Sequence, residues 1–258
     1  MTKTTKADGT RTYEIPDGNG GTVTLPSVTT ILRAVAKPAL ITWAANQVAQ
    51  YAIDHHEEVA ILLSTNERAA AYDLLKGAAR RDRDSAADVG TQTHDLIEQM
   101  ILDPDLTIDP DTYGPAGPYL RSWLAFTERY VGGAGGEFVM SEATVANLSD
   151  GWAGTLDALL RVPRGDPPRF EVGALDWKTR QGKKAAECRA YESEVLQVSA
   201  YMHAEFVVVG DRLEPMPELK GGSIVMLASD DYRVERIADA GVAYEAFLAA
   251  KELWGWLG

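Results

Sequence analysis

The chain has 258 residues, 45% of them hydrophobic, with 25 Lys+Arg against 38 Asp+Glu, a net charge of −13 and a single cysteine, Cys188. That length supports one large domain or two small ones; one cysteine excludes an internal disulfide and any four-cysteine zinc or iron-sulfur site, and no apolar run approaches the roughly 18 residues of a membrane span. The acidic balance argues against a protein that coats nucleic acid non-specifically, since such binding draws on clustered Lys and Arg, but it leaves room for an enzyme with a local basic strip beside an acidic metal site.

The first nine residues lead into no apolar run of signal-peptide length, so a soluble protein of a reducing cytoplasm is expected. Tyr13-Glu14-Ile15 and Thr22-Val23-Thr24-Leu25 flank the glycine-rich turn Asp17 to Gly21 and predict a β-hairpin. Ser27 then reads as a helix N-cap. From Val28 to Leu75 the spacing is helical: Ile31, Leu32 and Val35 share a face, Pro38 suits the first turn of a new helix, and Trp43, Val48 and Ala52 continue the apolar stripe. A helix over Asn66 to Ala79 runs into Arg80-Arg81-Asp82-Arg83, and a separate helix is expected over Ala86 to Ile101, ended by Asp103-Pro104.

Asp103 to Pro118, rich in Pro, Asp and Gly, predicts a surface loop. Tyr119 to Tyr130 predicts a helix, with Gly132-Gly133-Ala134-Gly135-Gly136 ending it. Phe138 to Val145, Trp152 to Val162 and Phe170 to Trp177 then read as three strands of an antiparallel meander. A helix over Ala186 to Ala204, strands at Phe206 to Val209, Ser223 to Ala228 and Tyr232 to Ile237, and a helix from about Ala238 to Leu257 complete the chain. This order predicts an α+β fold, divided into residues 1–84, a hairpin and helical lobe packed on the core, and residues 85–258, the core.

The chemistry-bearing residues gather around Leu175-Asp176-Trp177-Lys178-Thr179. Strand alternation sends Asp176 and Lys178 to one face and Trp177 to the other; alone, such a pair is more often a strand-edge ion pair than a site. Asp157 interrupts the apolar run Gly154 to Leu160, and aspartate is a poor strand former, rarely buried unless paired or metal-bound. If the two strands pair, Asp157 and Asp176 approach within about 4 Å, where at an effective dielectric near 20 their repulsion costs about 4 kcal/mol. A divalent cation turns that cost into binding, and pairing of Asp157 with Lys178 is the plainer alternative.

On the helix ahead of the sheet, His94 lies one turn from both Gly90 and Glu98. Gln197 and Tyr201, spaced i, i+4, share one face of the helix after the meander. Between these elements Arg180, Lys183, Lys184 and Arg189 surround one carboxylate, Glu187, a pattern that suits a solvated loop or a phosphate-backbone contact. In the helical lobe, Trp43 and Tyr51 are candidates for base stacking, and Arg80, Arg81 and Arg83 for backbone contacts.

Gly90 to His94 with Glu98, Gly154-Thr155-Leu156-Asp157, Asp176-Trp177-Lys178-Thr179 and Gln197 to Tyr201 stand in an order that is similar to the RecB-type branch of the PD-(D/E)XK nucleases. Over residues 85 to 205 or so, the sequence resembles the stand-alone exonucleases of that branch, relatives of the CRISPR-adaptation nucleases common among viral recombination genes. The resemblance implies a restriction-endonuclease-like core, a central mixed β-sheet flanked by helices, with an N-terminal helical lobe. It implies a metal-dependent DNA exonuclease of viral or bacterial recombination or repair. Its Mg²⁺ or Mn²⁺ would be held by His94, Asp157, Asp176 and the main-chain carbonyl of Trp177. Asp157, Asp176 and Lys178 would be catalytic, with Lys178 orienting or helping to deprotonate the attacking water. Glu98, Gln197 and Tyr201 would support the site and the DNA strand, Glu142 would have a weaker acidic role, and Arg180, Lys183 and Lys184 would meet the DNA backbone.

Several relatives hold an iron-sulfur cluster on four cysteines; with Cys188 alone, no cluster is expected. No Walker-type loop is present, so unwinding would fall to a helicase or recombinase partner. The implied partners are DNA, as single strands or duplex ends, and such a protein, with no membrane. A homo-oligomer is compatible with the apolar pattern, and the compartment would be the cytoplasm, that of a bacterial host if the gene is viral. The alternatives are a non-catalytic nucleic-acid-binding module on the same fold, a nuclease active only with its partner, and a phosphoesterase acting on a smaller substrate.

Overall fold

A computed structural model describes residues 2–165 and 168–257. The expected hairpin is formed by β2 (Arg11–Pro16) and β3 (Thr22–Pro26), in the register Tyr13↔Leu25 and Ile15↔Val23. The Asp17 carboxylate accepts from the backbone N–H groups of Asn19 and Gly21 and holds the turn. An additional strand, β1 (Thr2–Thr5), pairs with β2 antiparallel; its fully exposed Thr-Lys-Thr-Thr carries none of the apolar alternation that would reveal it. Alternation on β2 turns Tyr13 and Ile15 inward, where they pack with Leu25, Ala146 and Ala153. Ser27 caps α1 (Val28–Ile31) by accepting from the Thr30 N–H at 3.0 Å, as its position predicts.

Residues 1–35 and 93–258 form one compact unit and residues 36–92 another, so the hairpin is grouped with the sheet rather than with the helical lobe. The lobe comprises α2 (Pro38–Asp54), α3 (His56–Ser64), α4 (Arg68–Lys76) and the beginning of α5 (Ala78–Leu102). Pro38 stands in the first turn of α2, where its missing N–H costs nothing. The expected break around Arg80 to Arg83 is absent: α5 runs through it, because no Pro or Gly interrupts residues 78–89 and Arg and Asp are tolerated inside a helix. Tyr51 stacks on His55 at 3.9 Å with the Arg81 guanidinium 4.8 Å from its ring, so this aromatic is already engaged within the lobe.

In the larger unit the expected loop at Asp103 to Pro118 contains 3₁₀ turns over Pro110–Ala116, started by the Asp109 carboxylate on the Asp111 N–H. Helix α6 (Gly117–Thr127) follows and relaxes into a π-helical turn over Glu128–Gly133. The meander is present as β4 (Glu137–Asn147), β5 (Trp152–Arg164) and β6 (Arg169–Thr179). Strand β9 (Leu219–Leu227) joins β6 in parallel, β10 (Tyr232–Arg236) joins β9, β7 (Phe206–Val209) joins β4, and β8 (Arg212–Pro215) joins β7. The result is a seven-stranded mixed sheet in the order β10-β9-β6-β5-β4-β7-β8, within an α+β fold.

Helices flank this sheet. Trp177 of β6 meets Trp123 and Phe126 of α6 edge to face. Ala174, Ile224 and Met226 instead share a core with Val198 and Tyr201 of α7 (Glu192–Met202) and Phe247 of α8 (Ala240–Leu257). Helix α7 is shorter than the Ala186 to Ala204 expected. A 3₁₀ turn occupies Ala185–Glu187, and the chain stays extended until Tyr191, whose N–H donates to the Glu194 carboxylate at 2.9 Å and so starts the helix. No helix among the described residues is long and apolar enough to cross a membrane.

Candidate metal centre

Three strands and two helices converge on the acidic site. The pairing of β5 with β6 runs down to Ala158↔Leu175, and the next residues on the two strands are Asp157 and Asp176. Here a side chain takes over from the ladder: the Trp177 N–H donates to Asp157 Oδ2 at 2.7 Å. That bond answers why an aspartate stands in mid-strand. Its carboxylate is fixed by a buried main-chain donor, a strong charge-assisted contact.

On the other side of β5, the pairs Ser141↔Ala158 and Ala143↔Leu156 bracket Glu142 and Asp157. Glu142 has φ of 46°, a left-handed conformation unusual for a non-glycine residue within a strand. Such a conformation costs on the order of 1–3 kcal/mol, and strain of this kind collects at functional sites. Helix α5 supplies His94, whose Nδ1 lies 3.7 Å from Asp157 Oδ2. One ligand atom each from His94, Glu142 and Asp157 falls within 4.8 Å of the others, a group that could hold a metal ion. The side chains of His94 and Asp157 are 26% and 10% exposed, so the group opens toward solvent on the histidine side.

Asp176 stands beside this group without being a member of it. It is fully buried, with Lys178 Nζ 2.5 Å from its Oδ2 and Gln197 Nε2 donating to its Oδ1 at 2.9 Å. Among the described residues no donor is aligned to hydrogen-bond Oδ2, and the Lys178 ammonium meets it as an ionic contact. Gln197 also donates to the Tyr201 hydroxyl at 3.2 Å, which ties both residues of the i, i+4 pair to the same carboxylate. Tyr201 reaches this place because Gly154 has no side chain: a Cβ there would sit 2.6 Å from the Tyr201 ring.

The electrostatics follow from burial and crowding. Burial raises the Asp176 pKa to about 7 against the opposing pull of Lys178, with Asp157 adding to the rise. Burial likewise raises Glu142 to about 7, aided by the charges of Asp157 and Glu98, while Lys3 opposes. For Lys178, burial works downward, but Asp176 and Asp157 outweigh it and the net shift is upward. Burial holds the Tyr201 pKa well above its ordinary value, so this hydroxyl stays neutral.

Because both carboxylate shifts are upward, the folded protein holds these protons more tightly than the unfolded chain does. That stabilisation is complete below the ordinary carboxylate range and is lost as pH rises through about 7. In EDTA, the Tm should therefore fall between pH 5 and pH 8, and Glu142→Gln should flatten the fall. Thermal unfolding across that interval checks it; a rising wild-type Tm would mean that both carboxylates are ionised and compensated instead.

Several expected site residues meet here and others do not. His94, Asp157, Asp176, Lys178, Gln197 and Tyr201 converge, Glu98 stands close enough for its charge to act on Glu142, and Trp177, expected to offer its main-chain carbonyl to the metal, has its main-chain N–H bound to Asp157. Glu142, expected in a lesser role, belongs to the three-residue group, whereas Asp176 does not. No spacing rule could promote Glu142, since its place depends on a backbone kink. Arg180, expected on DNA, is instead buried in an ion pair with Glu194, N to O 2.5 Å, with its guanidinium 4.6 Å from the Tyr191 ring. Lys183 and Lys184 are exposed, and Lys183 Nζ donates to the Tyr191 hydroxyl at 3.3 Å.

No family model and no curated protein matches the chain. Among solved structures, one titled "Crystal structure of SSO0001" is similar at 17% identity and a TM-score of 0.31, over 57% of this chain and 64% of that one, so the chain spans just under two thirds of that neighbour's length.

Proposed function

We propose that the chain is a metal-dependent nuclease with a PD-(D/E)XK core, acting as an exonuclease on DNA in recombination or repair. The observation that carries this reading is the meeting of one imidazole and two carboxylates within 4.8 Å, beside an aspartate–lysine pair on the neighbouring strand. DNA as the polymer and attack from its ends come from the sequence resemblance. One nitrogen and two carboxylate oxygens suit Mn²⁺ and Mg²⁺. A bound cation would polarise the scissile phosphate and lower the pKa of a water.

The chain's own residues do the rest. His94, Glu142 and Asp157 would hold the ion, and the Trp177 N–H fixes the direction of the Asp157 carboxylate. Gln197 and Lys178 hold Asp176 from two sides. Lys178, whose carboxylate neighbours favour its charged form, would supply positive charge where the transition state gathers negative charge. Water adds to phosphorus and the P–O3′ bond breaks, leaving a 3′-hydroxyl and a 5′-phosphate.

The test is to incubate the protein with end-labelled linear single- and double-stranded DNA, closed circular DNA and a chromogenic phosphate ester, in Mg²⁺, Mn²⁺ or EDTA. Metal-dependent loss of the linear DNAs alone is the expected result. Cleavage of the ester but not of DNA would replace the reading with a phosphoesterase. The rival of a non-catalytic DNA-binding module draws on the closure of Asp176 in its ion pair, outside the metal group. DNA binding without cleavage in any metal would favour it.

A further inference from the structure

The first strand of the chain carries a cation toward the metal centre. In an acidic protein, residues 1–35 hold Lys3, Lys6, Arg11 and Arg33 against Asp8, Glu14 and Asp17, a slight positive excess. Lys3 pairs with Tyr13 across β1 and β2, and its ammonium lies 5.8 Å from the centre of the Tyr13 ring. Tyr13 is itself fixed: it is buried, and its hydroxyl shares a hydrogen bond of 2.8 Å with Thr155 Oγ1, two residues from Asp157 on β5. The strand that carries a metal ligand thus also anchors the ring beneath Lys3. Lys3 is exposed. It is near enough to Glu142 for its charge to be felt there.

An exposed lysine held over an aromatic ring, its charge acting on an acidic metal group, has the chemistry of a phosphate contact: a mobile point charge that positions a backbone without reading its bases. We propose that β1 forms a phosphate rail along the site, with Lys3 binding a backbone phosphate adjoining the one at the metal centre and so positioning the polynucleotide. This rests on the nuclease reading. Lys3 touches the substrate away from the reacting bond, so its loss acts on binding, whereas loss of a metal ligand acts on turnover.

The experiment is to measure binding of a fluorescent single-stranded oligonucleotide in EDTA over a range of salt, for wild type, Lys3→Gln, Lys3→Arg and Lys6→Gln, with the Mn²⁺ midpoint of cleavage measured in parallel. One lost phosphate contact should lower the slope of log K against log[salt] by about 0.7 and weaken binding several-fold at low salt. Lys3→Gln should show both changes, with Lys3→Arg restoring them and Lys6→Gln giving a smaller effect. An unchanged slope in Lys3→Gln, with wild type binding and cleaving normally, overturns the rail alone. A shifted Mn²⁺ midpoint with unchanged binding overturns it in favour of a lysine that serves Glu142. A wild type that neither binds nor cleaves DNA in any metal removes the nuclease reading and the rail with it.

Discussion

Asp157→Asn should leave the fold intact and lower metal-dependent cleavage by about a thousandfold, the scale expected when a main stabiliser of the transition-state charge is removed. Asparagine keeps an oxygen to accept the Trp177 N–H, so the buried donor stays satisfied while the charge is lost. Asp157→Ala makes a poorer test, because it strands that amide at a cost of about 1–3 kcal/mol and mixes stability with chemistry. Metal binding gives a second readout. At about 100 times its Kd, a cation bound only by the folded state adds about 2.7 kcal/mol, or roughly 5–10 °C in Tm at this chain length. Wild type should show that rise and Asp157→Asn should not. In EDTA the variant should be no less stable than wild type, because it removes a charge that raises the proton affinities of Glu142 and Asp176. Cleavage by Asp157→Asn within tenfold of wild type would remove the residue from the reaction.

What the sequence made legible, and what it hid, follows from how each feature is encoded. The meander, the hairpin and the caps rest on local signals, a period of two, a glycine-rich turn, a serine after a proline, and they stand where the sequence placed them. Asp157, Asp176 and Lys178 are conspicuous as charges in apolar strands, but the sequence made Asp176 a metal ligand, and it lies outside the three-residue group. Strand β1 is polar and exposed and has no such signal; only pairing with β2 makes it a strand. The membership of Glu142 in the metal group depends on a left-handed φ that its neighbours Ser141 and Ala143 do not announce. The basic run after Lys178 misled for another reason: composition counts Arg180 with Lys183 and Lys184, yet Arg180 follows directly on β6, its N–H donates to the Leu227 carbonyl, and its side chain turns into the core.

That reassignment sets the other large effect. Arg180→Ala should destabilise the protein by about 3–5 kcal/mol, because it leaves the Glu194 carboxylate buried without its cation. Urea or thermal unfolding should register it as a Tm drop of roughly 10 °C. The salt dependence of DNA binding should not move, since the arginine has no free face for a phosphate. Replacing both partners, Arg180→Met with Glu194→Leu, should recover most of the loss, as buried ion pairs exchanged for apolar groups of similar volume often do. The recovery should stop about 1 kcal/mol short, because Glu194 also accepts the Tyr191 N–H that starts α7. The same geometry links this pair to the chemistry. Helix α7 carries Gln197, and Gln197 holds Asp176. Arg180→Ala should therefore lose activity at temperatures below its own unfolding, as the first turn of α7 loosens, and the double variant should regain it. An Arg180→Ala protein of normal stability with weakened, less salt-dependent DNA binding would return this arginine to the phosphate backbone, where the sequence first placed it.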